Sequence, residues 1–396
     1  MLRAGSKLML SVVAVVVIAP GPGGATASTP GDSTAALRLT GSAEVSYTHS
    51  GSDPENGVIG YRAFDNRAGT FSLANAVIEA EGRTGAARGR VALQTGLTGN
   101  TYYATEPSHP AEGGAGESDA RTWRLVQQAW IGWRSTGESW GADAGLFLSP
   151  IGPEGVTVRD NWNWSRSNLF FALPFYHAGL RVRHRLSSNW ALTGFALNGW
   201  NSVTDNNEQV SIAAQLLTSS RSVDAALLYF GGTERSGDGP EGEPWRHLVD
   251  GWVQLHPGGP LAVMLHADLG TEETDLGRDH WLGGAAYLRW AMAGSWGLAA
   301  RLDGIRESQD EEIRGVVGPI LFSVLDGDGR ASAASLTGTL EYRPAATMLC
   351  RLEARHDRSE TDLYFDENAT SGEGGVTLPN SNRQTTITLG VSAWFQ

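Results

Sequence analysis

A chain of 396 residues with 30 Lys and Arg against 43 Asp and Glu carries a formal charge of −13 and one cysteine, Cys350. That acidity argues against nucleic acid as a partner, and a single cysteine excludes an internal disulfide framework. Beyond the N-terminus no run approaches the roughly 18 consecutive apolar residues that mark a transmembrane helix.

The chain opens with Arg3 and Lys7, an apolar run from Leu8 to Ala19, a Pro and Gly break over 20–24, and the small residues Ala25, Thr26 and Ala27. This is the layout of a secretory signal peptide, with cleavage expected after Ala27. The apolar run is too short to anchor the chain, since a span takes about 20 residues. Residues 1–27 therefore play no part in the expected fold. Lys7 is the only lysine, and removing it with Arg3 leaves 28 basic residues against 43 acidic ones, a charge of −15.

Period 2 dominates the rest of the chain. Over 36–48, Leu37, Leu39, Gly41, Ala43, Val45 and Tyr47 share one face, while Arg38, Thr40, Ser42, Glu44 and Ser46 share the other. Such alternation marks a strand with one apolar and one polar side. It recurs around Val91, Leu180, Leu265, Leu340, Leu352 and Leu389, and none of these apolar faces carries a charge. A charge at the bilayer midplane costs roughly 2–4 kcal/mol, so a lipid-facing strand must lack one. A soluble β-sandwich also alternates, but it fills its core with larger residues than the Ala and Gly common here.

The pattern reads as 16 strands: 36–48, 71–83, 88–99, 124–134, 139–148, 176–186, 189–200, 209–218, 221–231, 246–257, 261–270, 280–292, 296–305, 334–343, 346–357 and 383–395. Alternation is weak over 124–134, 189–200 and 280–292. Short and long connections alternate throughout, as they do between the periplasmic turns and outer loops of a transmembrane barrel. The expected fold is all-β, an antiparallel up-and-down transmembrane barrel over 36–396. It comes after a short periplasmic segment, 28–35, and both termini face the periplasm of a bacterial outer membrane. Sixteen strands are wide enough for an aqueous channel. The segment 28–35 is too short to be a plug. Trp130, Trp133, Trp140, Trp190, Trp200, Trp281, Trp290 and Trp296 are expected in interfacial girdles or in packing.

The most informative connection is 149–175. It carries aromatic clusters and two arginines, and loops of this length are commonly functional. The run Phe147–Glu154, the stretch Asn161-Trp162-Asn163-Trp164-Ser165-Arg166-Ser167 and the segment Pro174–Gly179 resemble the OmpL-like β-barrel porin family, most clearly over 70–185. The resemblance implies an outer-membrane channel and makes a homotrimer plausible. One departure is the C-terminus, where Gln396 comes after the aromatic pair Trp394-Phe395.

The expectation is that this loop folds inward and narrows a passage for small polar solutes or ions. Arg159, Asn161, Asn163, Ser165 and Arg166 would line it. His177 and a ladder of Arg181, Arg183 and Arg185 stand on the next strand, and charged ladders set ion selectivity. Opposing lumen acids are Glu44, Asp143, Asp303, Glu341 and Glu353. A competing reading has Arg166 and the tryptophans gluing the loop to the wall. Other function classes are a sugar-specific porin stacking solute on Trp162, Trp164, Phe170, Phe171 and Tyr176, a Ser/His hydrolase, and a structural barrel. No enzyme activity, cofactor or metal site is expected. The histidines show no zinc spacing, Gly237–Gly242 fits a dinucleotide motif only in letters, and Asp326-Gly-Asp-Gly lacks flanking helices. The expected partners are outer-membrane lipid and small polar solutes or ions.

Overall fold

The structure, a computed structural model, describes residues 35–110, 116–237, 239–369 and 377–395. The expected leader 1–27, nearly all of the segment 28–35 and Gln396 lie outside these residues.

Sixteen antiparallel strands close into a barrel in sequence order, with the last pairing the first. They are β1 (Ala36–Ser50), β2 (Phe71–Thr84), β3 (Ala87–Thr95), β4 (Val126–Arg134), β5 (Trp140–Leu148), β6 (Tyr176–Arg185), β7 (Trp190–Leu197), β8 (Ser211–Ser219), β9 (Val223–Thr233), β10 (Trp245–Leu255), β11 (Leu261–Thr274), β12 (Gly277–Ala291), β13 (Trp296–Gln309), β14 (Arg330–Ala345), β15 (Met348–Ser359) and β16 (Arg383–Phe395). Closure comes from β1 and β16, with Val45 opposite Val391 and Ala43 opposite Ala393. A closed barrel leaves no unpaired edge, which lipid would not tolerate.

The side chains are sorted inside out relative to a soluble protein. Ile131, Leu282, Leu302 and Leu336 are among the most exposed hydrophobics, at 58–74 %. Arg351, Glu353, Arg355 and Asp357 alternate with Leu352, Ala354 and His356 along β15, and each of those four charged residues is buried. A lipid-facing exterior and a polar interior produce this sorting. Exposed aromatics gather at both ends of the wall. Trp133, Trp140, Trp190, Trp290 and Trp296 stand at the end with the short turns, and Phe71 and Trp245 at the other. These are the girdles that amphipathic rings form at membrane interfaces. Trp130 and Trp281 instead point inward and are buried.

The two ends differ as the loop lengths require, with one correction. β11 and β12 run further than the expected 270 and 280, and only Asp275-Leu276 joins them at the long-loop end. The alternation of long and short connections therefore breaks there. β12, whose pattern is weak in the sequence, alternates cleanly: Asp279, Trp281, Gly283, Ala285 and Tyr287 face in, and Leu282, Gly284, Ala286 and Leu288 face out.

Candidate functional site

The connection between β5 and β6, residues 149–175, turns into the barrel and is held by the wall at many points. Near its root, Gln215 of β8, two strands on from β6, donates to the Pro150 carbonyl at 2.8 Å. The Gly152 N–H then donates to Asp250 on β10 at 3.1 Å. Across the lumen the Val158 N–H donates to Glu44 on β1 at 2.8 Å. Glu353 on β15 accepts the N–H groups of Trp164 and Ser165 at 2.6 and 3.0 Å. Asp303 on β13 accepts that of Asn168 at 2.7 Å. The loop thus touches walls on opposite sides.

Three buried wall arginines collect its carbonyls. Arg301 donates to Ser165 O at 2.6 Å and Arg166 O at 3.0 Å, and pairs with Asp303 at 2.8 Å and Glu154 at 3.1 Å. Arg351 donates to the carbonyls of Val158, Asn163 and Asn161, and pairs with Glu341 at 2.9 Å. Arg355 donates to Arg166 O at 2.5 Å and pairs with Asp357 at 2.6 Å. An irregular loop inside a lumen must satisfy its main-chain polar groups there. Guanidinium groups with several donors in a fixed fork are suited to that task. Trp164 lies flat against Gly390 of β16, where a Cβ would overlap the ring. Apolar packing closes the remainder: Ile151, Leu169 and Leu173 join Trp281, Phe230 and Ile305 from the wall and Phe322 and Tyr364 from neighbouring loops.

The residues expected to line a passage occupy several different places. Asn161, Asn163, Ser165 and Arg166 are buried within the loop's attachment. The Arg166 guanidinium turns back onto the carbonyls of Gly155, Trp164 and Val156 and sits 5.0 Å from the Phe64 ring, so it staples the loop to itself. Arg159 lies half-buried, beside Asp160 and over Trp394. His177 is fully buried; its Nδ1 meets Gly199 O at 3.0 Å and its Nε2 meets Ser149 Oγ at 3.3 Å.

Arg181, Arg183 and Arg185 share the inner face of β6, but they are not equivalent. Arg181 pairs with Asp143 at 2.8 Å, and its guanidinium stands over Trp130 and Phe147. Asp143 also takes Arg134 at 2.5 Å. Arg183 is exposed in a cavity of about 380 Å3 that Arg134, Asp143, Arg181, Pro150, Thr193 and Gln215 also line. Arg185 stands exposed at the short-turn rim. All five acids named from the sequence face inward. Glu44, Asp303 and Glu353 accept loop N–H groups, while Glu341 pairs with Arg289, Arg343 and Arg351.

Sequence reasoning missed Arg301, Arg351 and Arg355 as loop ligands, although Arg351 and Arg355 stand on a face read as polar. It also missed Glu154, which accepts from Ser167, and a buried cluster of Asp250, His266 and Asp268. His266 and Asp268 signal themselves by i, i+2 spacing on one strand; Asp250 comes from another.

Over residues 36–395 the sequence matches the family described as "Putative beta-barrel porin-2, OmpL-like". The chain belongs to this OmpL-like porin family. Its solved look-alikes are also outer-membrane barrels. OmpT of Vibrio cholerae, an outer membrane protein, superposes with a TM-score of 0.56 at 7 % identity, covering 91 % of this chain and 98 % of that one. An anion-selective porin from Comamonas acidovorans gives 0.54 at 11 %, covering 91 % and 100 %. The channel DcaP of Acinetobacter baumannii gives 0.53 at 11 %, covering 91 % and 97 %. At these identities the likeness carries the fold alone. Among curated proteins nothing matches. This OmpL-like porin is a bacterial outer-membrane barrel with a loop folded across its lumen.

Proposed function

We propose that the barrel is a passive diffusion channel for small polar solutes or ions, not an enzyme, and that loop 149–175 sets its narrowest section. The observation that carries this is the loop's fixation by Arg301, Arg351 and Arg355, beside a polar cavity lined by Arg134, Asp143, Arg181 and Arg183. A loop tied to opposite walls is a fixed constriction, and charged groups left beside it bias which ions pass. With an even number of strands both termini lie on one side, which this reading places in the periplasm.

Two other readings lose support. Stacking of sugars requires open aromatic faces; Trp164, Phe170 and Tyr176 are buried, and Trp162 and Phe171 are partly buried and packed against the apolar core. The Ser149–His177 pair has a backbone carbonyl as its third member, and its histidine lies 5.9 Å from the Phe230 ring in the packed interior. A hydrolase needs that pair to reach substrate. A homotrimer is proposed on the likeness to the trimer form of OmpT of Vibrio cholerae; cross-linking in detergent tests it.

The deciding experiment is planar-bilayer conductance of the refolded chain from Ser28 onward. Stable open steps support the channel reading. A folded barrel that never conducts overturns it.

A further inference from the structure

Asp250 of β10 stands directly opposite Asp268 of β11, and His266 lies two residues before Asp268 on the same inner face. One donor atom from each of the three lies within 4.8 Å of the others. His266 Nε2 is 2.6 Å from Asp250 Oδ2 and 3.3 Å from Asp268 Oδ1. All three side chains are essentially fully buried, Asp268 at 0 % exposure.

With both carboxylates ionised, this arrangement is one positive charge short. Two carboxylates face each other across a strand pair, where like charges repel. An imidazolium can neutralise only one of them. Among the described residues, His266 is the only basic side chain in ion-pair reach of either carboxylate. The strands on each side offer no cation at the facing positions: Leu228 lies opposite Asp250, Gly283 opposite Asp268 and Ala285 opposite His266. Beyond the 3.3 Å approach of His266 Nε2 to Oδ1, neither oxygen of Asp268 has a hydrogen-bond partner, and His266 Nδ1 has none either. An unpaired charge in such a place is costly unless something compensates it.

We propose that Asp250, His266 and Asp268 bind a divalent transition-metal cation of the zinc type. One imidazole and two carboxylates form a donor set that zinc accepts, with ligand atoms about 2.0–2.2 Å from the ion. The imidazole discriminates against calcium and magnesium, which prefer all-oxygen sites. The ion would supply the missing charge and give the Asp268 carboxylate a closer partner than His266 Nε2 at 3.3 Å. It would also fix the Asp250 carboxylate, whose Oδ1 accepts the Gly152 N–H and so tethers the start of the inward loop. The site stands whether or not the barrel conducts.

The test uses the whole refolded barrel in detergent. Protein is incubated with zinc chloride, passed through a desalting column with a weak chelator, and assayed for zinc. The expected result is one zinc retained per chain in the wild type, and at least tenfold less in Asp268→Asn and His266→Gln. Wild-type protein without zinc, or variants that hold as much as wild type, would overturn the proposal; the triad is then a protonated ion pair. Should the variants not fold, cobalt(II) added to the wild type decides. Intense visible bands of a four-coordinate nitrogen and oxygen site support it, and only the weak aqueous spectrum refutes it.

Discussion

The Arg355 guanidinium donates to the main-chain carbonyl of Arg166 at 2.5 Å, across 189 positions of sequence. One wall arginine thereby fixes the middle of a loop that leaves the wall between β5 and β6. Arg301 reaches the same carbonyl at 3.0 Å. The two guanidinium groups are kept from repelling apart by Asp303 and Asp357.

Replacing Arg301 with Ala strands Asp303 and Glu154 in the interior, frees the Ser165 carbonyl and leaves the Arg166 carbonyl to Arg355 alone. Breaking a buried pair by removing one partner costs about 3–5 kcal/mol. The expected outcome is a lower urea midpoint together with larger, noisier conductance. A variant with wild-type conductance would show that the loop does not depend on Arg301 for its position.

Glu353 holds two consecutive N–H groups of the loop. Glu353→Ala leaves both without an acceptor, at about 1–3 kcal/mol each. Glu353→Gln keeps one acceptor and should fall between wild type and the Ala variant. Protease sensitivity of the 149–175 segment measures the order.

At Gly390 the Trp164 ring lies where a Cβ would be, whereas at Gly338 no atom lies within 4 Å of that position. Gly390→Ala should destabilise the fold by about 1–3 kcal/mol, the usual cost of overpacking, and Gly338→Ala should leave it nearly unchanged. Thermal unfolding followed by gel mobility compares the two.

Arg183 is exposed in the lumen cavity and Arg181 is neutralised by Asp143. Arg183→Ala should move the reversal potential toward cation preference. Arg181→Ala should leave Asp143 to Arg134 alone and move it in the same direction. Unchanged reversal potentials in both would remove the β6 arginines from the selectivity of the channel.

The first long loop, residues 51–70, carries the prediction for pH. Burial pushes the Asp65 carboxyl up, but Arg62, Arg355 and Arg166 outweigh it and hold the group below its ordinary value of 3.8. Arg62 stands 3.4 Å away. A carboxyl lowered in the folded state adds stability above its unfolded value, and that stability is lost as the pH falls through the lowered one. Docking of this loop should therefore be flat from pH 7 to about pH 5 and weaken only below about pH 4. Asp65→Asn should remove the acid-dependent part of the slope and lower stability at neutral pH, as read by urea midpoints across that range.

The barrel was legible from the sequence because a strand in lipid obeys a local rule. Each apolar residue facing out, such as Leu352, must be succeeded by one facing in, such as Glu353, and the period survives wherever the chain is read. The inward direction of Glu44, Asp143, Asp303, Glu341 and Glu353 came from that period, and the strand count from the period together with the alternation of long and short connections. The attachment of the loop did not, because no local rule states which inward arginine meets which carbonyl. Ser165 and Arg301 meet only because closing sixteen strands brings β13 to face a loop rooted between β5 and β6. Likewise Asp250 joins His266 and Asp268 only through the register of β10 on β11. The sequence by itself determined which side chains face water and which face lipid, since the solvent around each residue acts on that residue alone. Tertiary structure decided which inward charges become loop anchors and which stay free in the lumen, since hydrogen bonds depend on distances that barrel closure sets.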